Sequence, residues 1–145
     1  MTFSITRRLL IGNLLVLSAF LGLAGVALDR AFRASTESAL REQLQAHVYT
    51  LLTAATEDTA GAMRMPSMLT APAFNRPDSG LYAEVVGDAG RYRWRSGSLV
   101  GRSEPLAQAV GVGETRYRDI RDLKLFDQGV SWEDNTGRPI RYTLT

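Results

Sequence analysis

The chain contains no cysteine, one histidine (His47) and one lysine (Lys124) in 145 residues. Without thiols there is neither a disulfide framework nor a cysteine metal centre, so the fold must be held by packing, with dimerisation as a further source of stability. A single histidine completes neither a histidine metal site nor a nucleophile and base pair, and His47 reads as a packed or half-exposed helix residue. No GxGxxG, P-loop or HExxH spacing occurs. Ser67, Ser79, Ser96, Ser98 and Ser103 lie in Gly/Pro-rich stretches, where turn formation accounts for them. An excess of one charge is also missing. The net charge is +2, and beyond Arg8 the basic and acidic residues balance, so the charge is no evidence for nucleic-acid binding and no such partner is expected.

What the chain does have is an uncharged run from Leu9 to Leu28, preceded by Arg7 and Arg8 and followed by Asp29, Arg30 and Arg33. Twenty helical residues span about 30 Å, the thickness of a bilayer's hydrocarbon core. The positive-inside rule makes residues 1–8 a cytoplasmic N-terminus, residues 9–28 a transmembrane helix and residues 29–145 a domain on the far side of the inner membrane. A cleaved signal peptide is the competing reading, with Gly25 and Ala27 near a cleavage-like position, but its apolar region would be shorter. Asp29 to Ala55 contains neither Gly nor Pro. The membrane helix can therefore continue out of the bilayer as one rod. In the bilayer, Ser18 and Gly22 form a small-xxx-small pair, and Asn13 is a polar group that gains from a partner.

Beyond the bilayer, Phe32, Leu40, Leu44, Val48, Leu51 and Ala55 form an amphipathic stripe, opposite polar positions where Glu37 and Arg41 stand four apart. Such a stripe needs the domain's own sheet, a partner helix, or both. From Glu57 to Ser79, Gly61, Pro66, Pro72 and Pro77 forbid a long helix or central strand. Met63, Met65, Met68, Leu69 and Phe74 make that segment a covering loop with one helical turn. Leu81 to Val86 and Arg91 to Arg95 flank a Gly-rich turn and predict a hairpin, its second strand carrying Tyr92 and Trp94 on one face and three arginines on the other. Ser96 to Pro105 is loop, with Leu99 and Val100 as anchors. Thr115 to Ile120, Lys124 to Trp132 and Pro139 to Thr145 read as three more strands, with a turn at Asn135 to Gly137. The expectation is an α+β domain, a long helix on an antiparallel sheet of about five strands, in a chain cut at Thr145.

Two groups of charges invite a binding reading. Asp119, Asp122, Asp127, Glu133 and Asp134 could hold Ca²⁺ or Mg²⁺ and bridge to anionic lipid, were they to converge on one edge. Arg116, Arg118, Arg121 and Lys124 are interleaved with them, which instead favours local pairing. Arg91, Arg93 and Arg95 form an alternating face able to bind an anion, or else a solvated strand edge.

The segments FSITRRLLIGNLLVLSAFLGLAGVALDRAF, LREQLQAHVYTLLTAATED, RPDSGLYAEV, YRWRSGSLVGR and GVSWED together resemble the start of PhoQ-type sensor histidine kinases of proteobacterial two-component systems. The resemblance runs from Phe3 to Thr145. It implies a PAS-like periplasmic sensor domain after the first transmembrane helix. It also implies a second membrane helix, a HAMP linker, a dimerisation helix with the phosphoaccepting histidine, and a kinase domain using ATP and Mg²⁺, all outside this chain. The implied partners are the membrane, a second copy of the chain, and a response regulator. His47 falls beyond the membrane by the charge rule and is not the phosphoacceptor, and no residue here carries catalysis. The dense acidic run through which the best-known members detect divalent cations has no counterpart in these scattered acids. A noncatalytic anchored adaptor and a cleaved secreted binding domain remain the readings from other classes.

Overall fold

The computed structural model describes residues 5–87 and 90–145. Helix α1, Ile5–Ala54, is followed by strands β1 (Thr56–Glu57), β2 (Met63–Arg64), β3 (Glu84–Gly87), β4 (Tyr92–Arg95), β5 (Thr115–Ile120), β6 (Leu123–Glu133) and β7 (Pro139–Leu144). The chain divides into two compact units, Met1–Leu40 and Arg41–Thr145. In the first, α1 is long and apolar enough to cross a membrane. Its large apolar side chains, from Leu9 to Leu28, are exposed to the surroundings, as is Phe32 at the start of the expected stripe. Thr36 returns its hydroxyl to the Phe32 carbonyl, and Arg33 pairs with Asp29 one turn earlier, so these three polar side chains beyond Leu28 are satisfied along the helix.

The second unit is an α+β domain. A five-stranded antiparallel sheet has the order β4-β3-β7-β6-β5, and β1 with β2 forms a separate two-stranded ladder. The last strand in sequence therefore lies at the centre. Val85 pairs with Leu144, and Leu144 with Gln128, so within the sheet β7 joins the hairpins β3–β4 and β5–β6. This position explains why residues 142 to 145 are all buried. The expected hairpin from Leu81 to Arg95 is present, but its first strand begins at Glu84, and Asp88 and Ala89 of its turn lie outside the described residues.

Alternation gives the sheet two unlike faces. One carries Val85, Tyr92, Trp94, Phe126, Val130, Trp132, Ile140, Tyr142 and Leu144, and packs with Val48 and Leu51 of α1. The apolar stripe is thus used by the domain's own sheet at Val48 and Leu51, while Tyr49 stands 52% exposed. His47 is half-buried beside them, its ring edge-on to Phe74 at 5.7 Å. On the adjoining flank Arg41 lies over the Tyr117 ring, 4.7 Å from its centre.

Residues 57–79 cover the rest of this apolar face as expected of their prolines and methionines. Met63, Met65, Leu69 and Phe74 are buried, Met68 is not, and Pro72–Phe74 makes one 3₁₀ turn. Proline at its start fixes φ and lacks only an amide that a helix end would leave unpaired. Aromatic polar tips meet the backbone of this cover: Tyr142 accepts from the Met63 amide at 3.2 Å and Tyr92 from that of Met65 at 2.8 Å. Trp94 and Trp132 donate to the carbonyls of Pro66 and Gly61 at 3.0 and 3.1 Å. Gly61, at φ 81°, lies where a Cβ would strike Asn135, which lets the β1–β2 turn seat against the β6–β7 turn.

Candidate functional site

The opposite face of the sheet concentrates the charge. Glu84 follows Tyr82 and Ala83 where the chain enters β3, and alternation turns its side chain away from the core into full burial, at 0% exposure. The hairpin register sets Arg95 directly across from it and Arg93 two residues along. Arg93 Nη1 and Arg95 Nε each lie 3.7 Å from Glu84 Oε1, ion pairs too long for hydrogen bonds. The other carboxylate oxygen accepts the amides of Leu106 and Ala107 at 2.6 and 2.8 Å. Buried Glu84 therefore holds an irregular strap, residues 104–114, over this face.

A second buried pair grips the same strap. Arg118 of β5 makes a two-pronged contact with Asp127 of β6, Nη2 reaching Oδ1 at 2.8 Å, and Nη2 also donates to the Leu106 carbonyl at 2.6 Å. Asp127, fully buried, accepts the Thr145 hydroxyl as well. Fork-to-carboxylate geometry with every oxygen engaged is what makes such a buried pair tolerable. Farther along, Thr143 accepts from the Val110 amide at 3.2 Å. Gly129 has no side chain because a Cβ there would overlap the Gly111 carbonyl. Its amide and carbonyl continue the ladder onto Glu114 and Gly113. The strap also contributes Leu106, which packs with Leu99 and Leu125 as a small second core. Of the two expected loop anchors, Leu99 is buried and Val100 is 70% exposed.

The five acids singled out as cation ligands are dispersed. Asp127 is consumed by Arg118 and Thr145, and Asp119 pairs with Lys124 at 2.6 Å. Asp134 caps the β6–β7 turn, accepting from the Thr136 amide and hydroxyl and from the Arg138 amide. These bonds, that of the Thr136 hydroxyl foremost, hold its carboxyl below the usual range. Asp122 and Glu133 are exposed at opposite ends of β6. Among the described residues no three carboxylate or histidine side chains come together as metal ligands. Of the arginine face, Arg93 and Arg95 are directed at Glu84. Glu84 itself was hidden in the sequence within the apolar run LYAEVV. One acid at an alternating position, set by the hairpin across from arginines, was the signal for it. Ser96 and Ser98 are buried and bonded to each other at 2.8 Å, and Ser96 accepts the Ala83 amide, which fits turn formation.

Beside the strap's entrance lies a groove of about 300 Å³ lined by Arg102, Glu104, Leu106, Arg121 and Leu123. Arg102 lies over the Tyr82 ring at 4.6 Å and 3.4 Å from Asp78. The Tyr82 hydroxyl donates to Asp78 at 2.8 Å, which lowers the Asp78 carboxyl and raises the Tyr82 phenol. Arg121 meets both oxygens of Glu104 at 2.9 and 3.1 Å.

A long apolar helix and a small α+β domain define the class: a sheet domain joined to a segment long and apolar enough to cross a membrane. The chain is similar to the two-component sensor PhoQ of Pseudomonas aeruginosa, with 31% identity over 121 residues, or 83% of this chain. That similarity supports a relation to two-component sensors. The chain spans 27% of the length of that curated relative. No family model matches the chain, and no solved structure matches it.

Proposed function

We propose that this chain is the sensing portion of a PhoQ-type histidine kinase, anchored in the bacterial inner membrane by residues 9–28 with residues 29–145 in the periplasm. The observation that carries the reading is the similarity to a two-component sensor over most of the chain. In this reading a stimulus received by the sheet domain alters how α1 packs within a homodimer. The helix relays the change inward to control autophosphorylation and transfer to a response regulator. ATP and Mg²⁺ belong to the longer polypeptide's kinase domain, not to residues described here.

The helix supports this mechanism in a specific way. Val48 and Leu51 are occupied by the sheet, so a partner helix would meet the outward side, which includes Gln45, Tyr49 and Thr53. The natural chain lacks cysteine, so one introduced at each position reports alone within this portion. In membranes carrying the full polypeptide, cross-linking at these positions should differ between states of high and low autophosphorylation. Failure of the full polypeptide to label from ATP on a histidine would overturn the kinase reading. One unchanged cross-linking pattern would overturn the helix relay.

A further inference from the structure

We infer that the groove between the 101–106 turn and the β5–β6 turn binds a small soluble carboxylate with a short apolar body. Its volume, about 300 Å³, falls at the small end of ligand pockets. Its chemistry is divided as such a ligand requires, with Leu106 and Leu123 supplying an apolar lining and Arg102 and Arg121 two guanidinium groups.

The anion seat is already filled by an internal substitute. Arg121 Nη1 contacts both oxygens of Glu104, yet the two side chains are 74% and 68% exposed. Exposed pairs of this kind contribute little net stability, so an incoming carboxylate that also buries an alkyl chain on the leucines can displace Glu104. Arg102 needs little ordering, since the Tyr82 ring and Asp78 already hold its guanidinium in place.

Arg121 supplies an independent observation. It sits in the two-residue turn between β5 and β6 at φ 54°, a conformation that glycine or asparagine adopts far more readily. Local backbone strain of this kind is a mark of functional positions. Glycine there would relax the turn but remove the guanidinium from the groove.

The connection to the rest of the domain is direct. Leu106 lines the groove while its amide and carbonyl are held by Glu84 and Arg118, and the Glu104 carbonyl accepts from Arg95 Nη2 at 3.1 Å. Displacing the Glu104 side chain therefore acts on the first residues of the strap.

The test uses the whole chain in phosphatidylcholine nanodiscs, with hexanoate as probe and hexanol and inorganic phosphate as controls, read by hydrogen exchange at residues 99–106 and 121–125. Hexanoate should slow exchange in both segments, and hexanol or phosphate at equal concentration should not. Arg121→Gln should weaken the response about tenfold, the equivalent of one charge-assisted contact, and Glu104→Gln should strengthen it about threefold. Arg121→Gly should lose the response while unfolding at a temperature no lower than the natural chain, which separates lost binding from lost folding. Equal protection by hexanol or phosphate, or a response unchanged in Arg121→Gly, would overturn the inference.

Discussion

The two faces of one sheet are covered in opposite ways. On the α1 side, residues 57–79 lie on an apolar bed and are fixed by neutral tips, the hydroxyls of Tyr92 and Tyr142 and the indoles of Trp94 and Trp132. On the other side, residues 104–114 are fixed by buried ions, Glu84 and the Arg118–Asp127 pair, with only a small leucine cluster beneath. Both covers lack regular structure across much of their length. The difference lies in what happens when one anchor is lost. An aromatic tip that loses its partner still leaves the ring packed, whereas a buried charge that loses its partner becomes a cost.

The largest effect should come from splitting the buried pair. Arg118→Met strands Asp127 and should remove about 3–5 kcal/mol of stability in denaturant unfolding. Arg118→Met combined with Asp127→Leu should recover most or all of that loss, because no unpaired charge remains. A double variant as unstable as the single one would refute the contrast between the faces. Next, Leu144→Ala, at the centre of the apolar face and 0% exposed, should cost about 2–5 kcal/mol, with no comparable recovery from any charge change. Tyr92→Phe keeps the ring and drops only the hydroxyl that accepts the Met65 amide, and should cost about 1 kcal/mol. Amide exchange in residues 63–69 should then rise only modestly, whereas Glu84→Gln should accelerate exchange at Leu106 and Ala107 much more.

The smallest effect concerns acid. Asp134 has a carboxyl lowered in the folded state, so its contribution is present above its unfolded value and is lost as pH falls through the lower folded value. The same sign applies to Glu114, which accepts the Gly111 amide at the end of the strap. Melting temperature should fall as pH is lowered below about 4, near the ordinary carboxylate range. Asp134→Asn should be slightly less stable at pH 6 and should show a shallower decline in acid.

Much of this architecture was legible in the sequence because period and punctuation are local. The uncharged run, the alternation at Tyr92 to Arg95 and the prolines at 66, 72 and 77 each constrain their own neighbourhood. The order of strands was not legible, since nothing local in residues 139–144 distinguishes a central strand from an edge. The candidate acids were visible one by one, but their partners were fixed by tertiary placement. Asp127 reads like its neighbours until the sheet sets it opposite Arg118 and beneath Thr145. The strap at residues 104–114 was not legible because its anchors, Glu84 and Thr143, are contributed by distant strands.

The central place of β7 governs the order in which the domain can be born. As the chain emerges during synthesis, hairpins β3–β4 and β5–β6 can close at once, being local. Each then presents an inner edge, β3 or β6, with backbone groups awaiting a neighbour until residues 139–144 arrive. Unfilled edges of that kind recruit strands from other chains. The nascent domain is therefore most vulnerable to aggregation in the interval before its last strand inserts, and a chaperone protecting it would act on those two edges.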